Sequence, residues 1–296
     1  MRGLVISNSV IEPQLLSRIQ NRARDWSVSV EEKFETDTSV IVFGRRDRNP
    51  VVLKVVKQTG DEWLSGEILE EFDGNGVVRV YEHVPGAVLM ERLQPGNSLV
   101  EMALNGRDEE ATSILTVIIQ RMATRTSSVS PDELPKSCPT VHDWAKGFER
   151  YITSGDAQIP IDLVEAGQRT FLDLCASQRE PRLLHGDLQH YNVLFDSDRG
   201  WLAIDPKGVI GELEYEIGAV LRDPVERPDL FLSASAIERR VNQFTSKLHL
   251  NRERVLSWAF AQAVLSAICE IEDGFAVDAS NSSLRLAQMI RPMLGL

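Results

Sequence analysis

Apolar and polar residues alternate along the first third of the chain. Val28, Val30 and Phe34 are separated by polar residues, which predicts a strand over residues 28–34. Further apolar runs predict strands at 40–43, 51–56, 77–82 and 87–93. Helical spacing predicts helices at 12–26 and 61–71. This region is therefore expected to form a small sheet with few helices.

From residue 98 onward the apolar residues recur at helical spacing. A helix capped by Asp108 carries its apolar residues on one face, and Pro160 opens another helix that continues to about Ser177. Further helices are predicted at 141–152, near Tyr215, at 236–248 and at 254–271, and a loop at 127–140. The apolar stripes are interpreted as core, so the rest of the chain is expected to be mainly helical.

One hairpin interrupts the helical region. Residues 193–195 and 201–204 are predicted strands joined by a turn at 196–200, which would bring Asn192 and Asp205 to one end. Asp187 precedes them in a polar loop. Phosphoryl transfer from ATP uses such a set, with one carboxylate beside the attacking hydroxyl and two oxygen ligands for magnesium. The alternative is a surface hairpin whose Asp and Asn only form turns.

The motifs of this hairpin resemble those of the protein-kinase-like aminoglycoside phosphotransferases, best the branch of streptomycin 6-kinases and hydroxyurea phosphotransferases. The resemblance rests on His185-Gly186-Asp187-Leu188 followed by Asn192, on Ile204-Asp205-Pro206-Lys207-Gly208 and on Gly211-Glu212. It implies an α+β, two-lobe fold with a small N-terminal antiparallel sheet lobe (1–93) and a larger, mainly helical C-terminal lobe (94–296). It also implies ATP and Mg²⁺ as cofactors, Asp187 as catalytic base, and Asn192 and Asp205 as metal ligands.

The resemblance also predicts how the nucleotide is bound. Lys54 lies between valines and leucine on the third strand, where this family holds the ATP phosphates. Its partner is expected to be Glu67, with Glu62, Glu70 and Glu71 open because the helix register decides. The turn at 35–40 has no glycine, so hydroxyls of Thr38 and Ser39 are expected near the phosphates. Backbone groups of Glu91 and Leu93 are expected to bind adenine.

The segment after Asp205 is short, which leaves little surface for a peptide and favours a small-molecule acceptor. Acidic side chains are expected to bind its amino or guanidino groups, and the candidates are Glu212, Asp223, Glu270, Glu272 and Asp273. A streptomycin-like aminocyclitol is the favoured acceptor. Hydroxyurea, choline, homoserine and ketosamines remain alternatives, as do a nucleotide sensor without turnover and a protein kinase.

Composition limits the remaining classes. The net charge is −12, which argues against nucleic-acid binding and is compatible with a cationic substrate. The sequence has no run of eighteen apolar residues, and its first residues make a poor signal peptide. Three widely spaced cysteines suggest reduced thiols. We therefore expect a cytoplasmic protein, a monomer or homodimer, that does not bind membranes.

Overall fold

A computed structural model describes residues 12–126, 135 and 137–296. The first residues of the chain and most of the loop predicted at 127–140 lie outside the described part. Helix α1 (Pro13–Asp25) precedes the sheet, close to its predicted bounds. Its Leu15, Ile19 and Ala23 are buried together with apolar side chains of the sheet. This helix therefore covers one face of the sheet.

The sheet has five antiparallel strands in the order β1-β2-β3-β5-β4. The strands are β1 (Ser29–Glu35), β2 (Ser39–Arg46), β3 (Asn49–Val56), β4 (Val80–Val84) and β5 (Ala87–Glu91), with helix α2 (Ser65–Phe72) between β3 and β4. Strand β4 begins three residues later than predicted because Val77 and Val78 pair with Ala203 instead. On the other face of the sheet, residues of α2 and β5 join the core of the helical region.

The predicted hairpin is present as β8 (Val193–Asp196) and β9 (Gly200–Ala203), which pair antiparallel. Strand β6 (Pro95–Ser98) adds to its edge. Two three-residue strands, β7 (Arg182–Leu184) and β10 (Val209–Gly211), form a second small sheet. The sequence did not predict β7 and β10, because three residues are too few to establish alternation. Together these strands enclose the loop that carries Asp187.

The remainder is helical, as predicted. Its helices are α3 (Leu99–Leu104), α4 (Asp108–Thr126), α5 (Val141–Trp144), α6 (Lys146–Ser154), α7 (Ile161–Ala176), α8 (Ile217–Arg222), α9 (Pro228–Phe231), α10 (Ala234–Leu248), α11 (Arg252–Glu272) and α12 (Ser282–Ile290). The predicted helix at 141–152 is divided into α5 and α6. A T-shaped pair of Phe171 and Trp258 joins α7 to α11. The α+β, two-lobe fold is confirmed, whereas the boundary at residue 93 stays a prediction.

Helix α11 is the one helix in the described part that is long and apolar enough to cross a membrane by length and composition. Of the most apolar window in α11, 61% is buried within the protein. Its Trp258, Phe260 and Val264 belong to the main hydrophobic core. These properties are those of a core helix.

Candidate active site

The loop between β7 and β8 holds Asp187 through its own backbone and a buried histidine. The Asp187 amide donates to His185 Nδ1 at 3.3 Å, and His185 Nε2 lies 2.9 Å from the Ile204 carbonyl oxygen. Burial lowers the pKa of His185, which favours the neutral ring. A neutral ring accepts at Nδ1 and donates at Nε2, as these contacts require. His185 therefore shapes the loop.

The β8–β9 hairpin brings Asn192 and Asp205 to the end where Asp187 lies. The Ile204 amide donates to the Asn192 carbonyl at 2.9 Å, so the residues before β8 and after β9 are joined. Asn192 Nδ2 donates to the Asp187 carbonyl at 2.9 Å, which leaves the side-chain oxygen of Asn192 for another partner. Asp205 adopts φ +58°, in the left-handed region. The three residues singled out from the sequence thus meet at one place.

The buried carboxylate of Glu216 supports this loop, a contact that was not predicted from the sequence. Glu216 accepts hydrogen bonds from the His185 amide at 2.7 Å and the Gly186 amide at 3.1 Å. Burial raises the pKa of Glu216 to about 7, although these bonds oppose the rise. The partners lie about thirty residues apart in sequence, so no local pattern reveals the contact.

Lys54 connects the sheet to the hairpin. It lies on β3 opposite Ile41 and Val88, and only 1% of its side chain is exposed. Its ammonium is 2.8 Å from Asp205 Oδ1 and 2.7 Å from Glu62 Oε2. Burial opposes the charge, but the two carboxylates outweigh it and raise the pKa of Lys54. Lys54 is therefore a fixed cation beside Asp205.

The prediction that Glu67 pairs with Lys54 is wrong; Glu62 is the partner. Helix α2 begins only at Ser65, so Glu62 lies in the turn before it, near Lys54. Glu67 instead accepts a hydrogen bond from Ser137 Oγ at 2.7 Å. Glu62 was one of the partners left open from the sequence, and the position at which α2 begins determines that Glu62, not Glu67, lies near Lys54.

This correction predicts different effects for two similar substitutions. Glu62→Gln should raise the KM for ATP several-fold, because Lys54 loses one of its two carboxylate partners near the phosphates. Glu67→Gln should leave the KM for ATP within about twofold, since an exposed hydrogen bond contributes little. Steady-state kinetics with varied ATP measure both. A larger effect of Glu67→Gln than of Glu62→Gln would contradict the assignment.

A cavity of about 290 Å³ lies between the sheet and the hairpin. Apolar side chains of β2, β3 and β5 line one side, Leu194 and Ile204 the other, and Asp205 lies at its edge. Glu91 and Leu93 are also lining residues. The Glu91 carboxylate accepts from the Arg79 amide at 2.7 Å and pairs with Arg199, so this side chain is structural. The shape and lining suit a flat aromatic base beside a backbone edge.

The turn predicted to cover the phosphates has internal hydrogen bonds. Thr38 Oγ1 donates to Glu62 at 3.0 Å and thereby connects the turn to the partner of Lys54. The Ser39 side chain is buried, and its hydroxyl lies 2.9 Å from the Thr36 hydroxyl. Ser39 therefore shapes the turn, which corrects the expectation that its hydroxyl faces the phosphates. A phosphate contact by Thr38 stays a prediction.

The acidic candidates for acceptor binding have different surroundings. Glu212 is buried and bonded to the Arg254 and Trp258 side chains and to the Arg179 amide. Glu270 accepts from Asn281 Nδ2 at 2.9 Å and Ser283 Oγ at 3.2 Å. These structural partners argue against the predicted substrate role of Glu212 and Glu270, which stays a prediction. The Arg254 and Trp258 partners of Glu212 lie more than forty residues away, and those of Glu270 lie on the next helix or at its start, so neither set shows in the local pattern.

The other acidic candidates remain predictions. Asp273 is exposed at the C-terminal end of α11, next to Glu272, which is paired with Arg150 at 2.7 Å. Asp223 is buried, and its Oδ2 has no hydrogen-bond partner among the described residues. Burial raises the pKa of Asp223 to about 6. Arg222 Nε lies 3.9 Å from Oδ2, a distance too long for a hydrogen bond.

Two charged residues at the cleft were not assigned from the sequence. Lys207 follows Asp205 by two residues, and Asp61 precedes α2; Lys207 Nζ and Asp61 Oδ2 are 3.6 Å apart. The Asp187 carboxylate, first among several influences, raises the pKa of Lys207. Lys207 and Asp61 both line a second cavity of about 160 Å³, which lies between α2 with its preceding turn and residues 137–144. From the sequence, Asp61 was predicted at the start of the helix at 61–71 and Lys207 in the segment after Asp205, and neither had a predicted partner.

Oxygen ligands for magnesium are few. The described residues contain no group of three or more His, Cys, Asp or Glu side chains arranged to hold a metal ion. Asn192 and Asp205 offer one amide and one carboxylate oxygen. Such a pair suits Mg²⁺, which is usually held by one or two carboxylates together with phosphates and water. The donor set therefore fits a metal bound together with a nucleotide.

The fold and this set of residues are those of a kinase-like phosphotransferase. Aminoglycoside phosphotransferase APH(4)-Ia has a similar structure, with a TM-score of 0.66 and 14% identity, over 95% of this chain and 99% of that one. Choline kinase LicA from Streptococcus pneumoniae has a TM-score of 0.64 and 12% identity, over 96% and 100%. At these identities the likeness shows the fold alone.

Sequence comparison gives the family. Residues 25–274 match the aminoglycoside/hydroxyurea antibiotic resistance kinases. Streptomycin 3''-kinase from Klebsiella pneumoniae is 34% identical over 247 residues, covering 82% of this chain and 88% of that protein. Streptomycin 6-kinase from Streptomyces glaucescens is 26% identical, over 94% and 89%. The chain belongs to the aminoglycoside/hydroxyurea antibiotic resistance kinase family and is an ATP-dependent phosphotransferase with an alcohol acceptor.

Proposed function

We propose that this enzyme transfers the γ-phosphate of ATP to streptomycin, with the 3''-hydroxyl as acceptor. The observation that carries the reaction is the meeting of Asp187, Asn192, Asp205 and Lys54 beside one cavity. The choice of hydroxyl rests on relatives: 34% identity to a streptomycin 3''-kinase, against 26% and 25% to two streptomycin 6-kinases.

The nucleotide would enter the cavity beside Glu91 and Leu93, with its base against the apolar side chains of the sheet. The backbone carbonyl of Glu91 and amide of Leu93 would bind adenine, since the Glu91 side chain is occupied elsewhere. Lys54 would then contact the phosphates, oriented by Glu62. Asn192 and Asp205 would hold Mg²⁺, which neutralises phosphate charge when bound. In this arrangement Lys54 contacts the phosphates, while Asn192 and Asp205 share the task of holding the metal.

Asp187 would accept the proton of the attacking hydroxyl. The backbone of its loop is held by His185, Asn192 and Glu216, so the main chain that carries the carboxylate is fixed. A fixed base is effective because little reorganisation is needed before proton transfer. The P–O bond to ADP breaks while the P–O bond to the acceptor oxygen forms.

The acceptor side is acidic, which suits a polycationic aminoglycoside. Asp61 and Asp273 are both exposed. Asp61 lies near Lys207, and Asp273 lies at the C-terminal end of α11. The net charge of −12 adds a field that attracts cations. Cys138, Cys175 and Cys269 are free thiols, which supports a cytoplasmic location, where ATP is also available.

Magnesium-dependent release of ADP, measured with a panel of acceptors, tests the proposal. We expect turnover with streptomycin and at least tenfold lower kcat/KM with hydroxyurea and choline, since the proposed site binds a larger cation. Omission of Mg²⁺ should abolish turnover. Turnover with choline or hydroxyurea but not with streptomycin would replace the proposed acceptor. ATP binding without turnover on any compound would support a nucleotide sensor.

A further inference from the structure

Phosphoryl transfer places negative charge on three equatorial oxygens of the moving group, and cations fixed beside it lower the barrier. Lys54 is one such cation, but Asp205 and Glu62 hold it on the sheet side. A second cation on the side of Asp187 would complete the arrangement.

The loop from Asp187 to Asn192 does not supply this cation. Its intervening residues are Leu188, Gln189, His190 and Tyr191. His190 is fully buried, and burial lowers its pKa to about 3, so its ring is neutral. Gln189 Nε2 lies 3.4 Å from Asp187 Oδ2 and carries no charge. Any positive charge near Asp187 must come from another segment.

Lys207 is positioned to supply it. Its amide and that of Gly208 both donate to the His185 carbonyl at 3.0 Å, so this backbone is fixed against the catalytic loop. The side chain is 36% exposed and lines the cavity between α2 and residues 137–144. Among the described residues its ammonium donates no hydrogen bond. It forms a long ion pair, at 3.6 Å, with the exposed carboxylate of Asp61. The charged and titratable groups facing it are Asp187, Asp61, Cys269 and Arg222.

We propose that Lys207 is a further catalytic residue, whose ammonium contacts the transferring phosphoryl group from the acceptor side of the cleft. Lys207 exchanges no proton: the hydroxyl proton goes to Asp187, and the phosphorus exchanges its ADP oxygen for the acceptor oxygen. Asp61 keeps the ammonium extended across the cleft. This inference rests on the proposed function, because it takes the phosphoryl position from the roles of Asp187 and Asp205.

Three variants separate this role from the alternatives. Lys207→Met removes the charge and keeps the length, Lys207→Arg keeps the charge, and Asp61→Asn removes only the long ion pair. Lys146→Met is the matched control, since Lys146 is 64% exposed and its partner Asp143 lies on the same surface. Thermal melting of each variant checks folding.

We expect Lys207→Met to lower kcat about 100-fold, as for loss of one preorganised donor to the transition state. The KM values for ATP and streptomycin should change less than threefold. Lys207→Arg should recover at least a tenth of the activity, and Lys146→Met should stay within threefold of wild type. Asp61→Asn should lower kcat far less than Lys207→Met, by at most about tenfold, because the ion pair is long and exposed.

A binding measurement gives a second test that does not depend on turnover. Mg²⁺, ADP and aluminium fluoride together mimic the moving phosphoryl group. The affinity of the enzyme for this complex should fall at least tenfold in Lys207→Met. The affinity for ADP alone should be unchanged. This test still applies if streptomycin proves not to be the acceptor, so failure of the proposed acceptor and failure of the Lys207 role are distinguishable.

Three outcomes would overturn the role of Lys207. In the first, Lys207→Met keeps kcat within threefold of wild type and binds the fluoride complex normally. In the second, only the KM for streptomycin rises, which would make Lys207 an acceptor-binding residue. In the third, Asp61→Asn reproduces the full defect, which would make the ion pair the functional element.

Discussion

Replacement of Asp187 by asparagine is expected to lower kcat by about 10²- to 10⁴-fold, the usual contribution of a general base. Asparagine keeps the shape of the side chain but cannot take the hydroxyl proton. The backbone contacts of residue 187 with His185 and Asn192 should persist, because they do not use its carboxylate. We therefore expect unchanged affinity for ADP and an unchanged melting temperature. Initial rates of ADP release and a fluorescent nucleotide titration measure these quantities.

The matched control is Asp198→Asn. Asp198 is exposed in the turn between β8 and β9, in the same hairpin but away from the cluster. This variant should keep activity within about twofold of wild type. Retention of more than a tenth of the wild-type kcat by Asp187→Asn would mean that another group takes the proton.

The largest effect on stability is expected from Arg240→Gln, which should reduce the free energy of unfolding by about 3–5 kcal/mol. Arg240 is fully buried and forms hydrogen bonds of 2.5 and 3.1 Å with Asp108 Oδ1. It also donates to the Asp223 carbonyl at 2.7 Å, and its guanidinium lies 4.7 Å from the Phe231 ring centre. Without the Arg240 guanidinium, the Asp108 carboxylate would stay largely buried but would have one cationic partner fewer. Urea unfolding followed by circular dichroism gives the change.

Arg239→Gln provides a comparison at the same carboxylate. Arg239 donates to Asp108 Oδ2 at 2.7 Å, but 39% of its side chain is exposed. Because solvent screens this pair, its loss should cost at most about 1 kcal/mol. Equal destabilisation by the two variants would contradict the view that burial makes Arg240 the essential partner.

The sites of residues whose roles depend on neighbours close in the sequence could be predicted. Asp187, Asn192 and Asp205 lie within nineteen residues, and the short apolar runs at 193–195 and 201–204 were enough to predict the hairpin that brings them together. Lys54 was found because a charged residue within an apolar strand is unusual. The five strands followed from the alternation at 28–34 and from apolar runs, with bounds that differ from the structure by up to three residues. The late start of β4 comes from a tertiary pairing of Val77 with Ala203.

Residues that act through distant contacts were not predictable. The residue at which α2 begins determines whether Glu62 or Glu67 lies near Lys54. That residue depends on how the helix packs against the sheet. The local pattern around Glu212 indicates a substrate ligand but does not show its partners Arg254 and Trp258, which lie more than forty residues away. The support of the catalytic loop by Glu216 is likewise a long-range contact. In each case the charge was visible in the sequence, and the partner that determines its role was not.

The most direct test of the account is to identify the product formed from streptomycin and ATP. The reaction mixture would be analysed by two-dimensional ¹H–³¹P NMR, with Asp187→Asn as the blank. The account predicts one phosphate ester on the 3''-oxygen, formed in equal amount to ADP and absent with the variant. Absence of any streptomycin phosphate, from enzyme that still binds ADP, would contradict it.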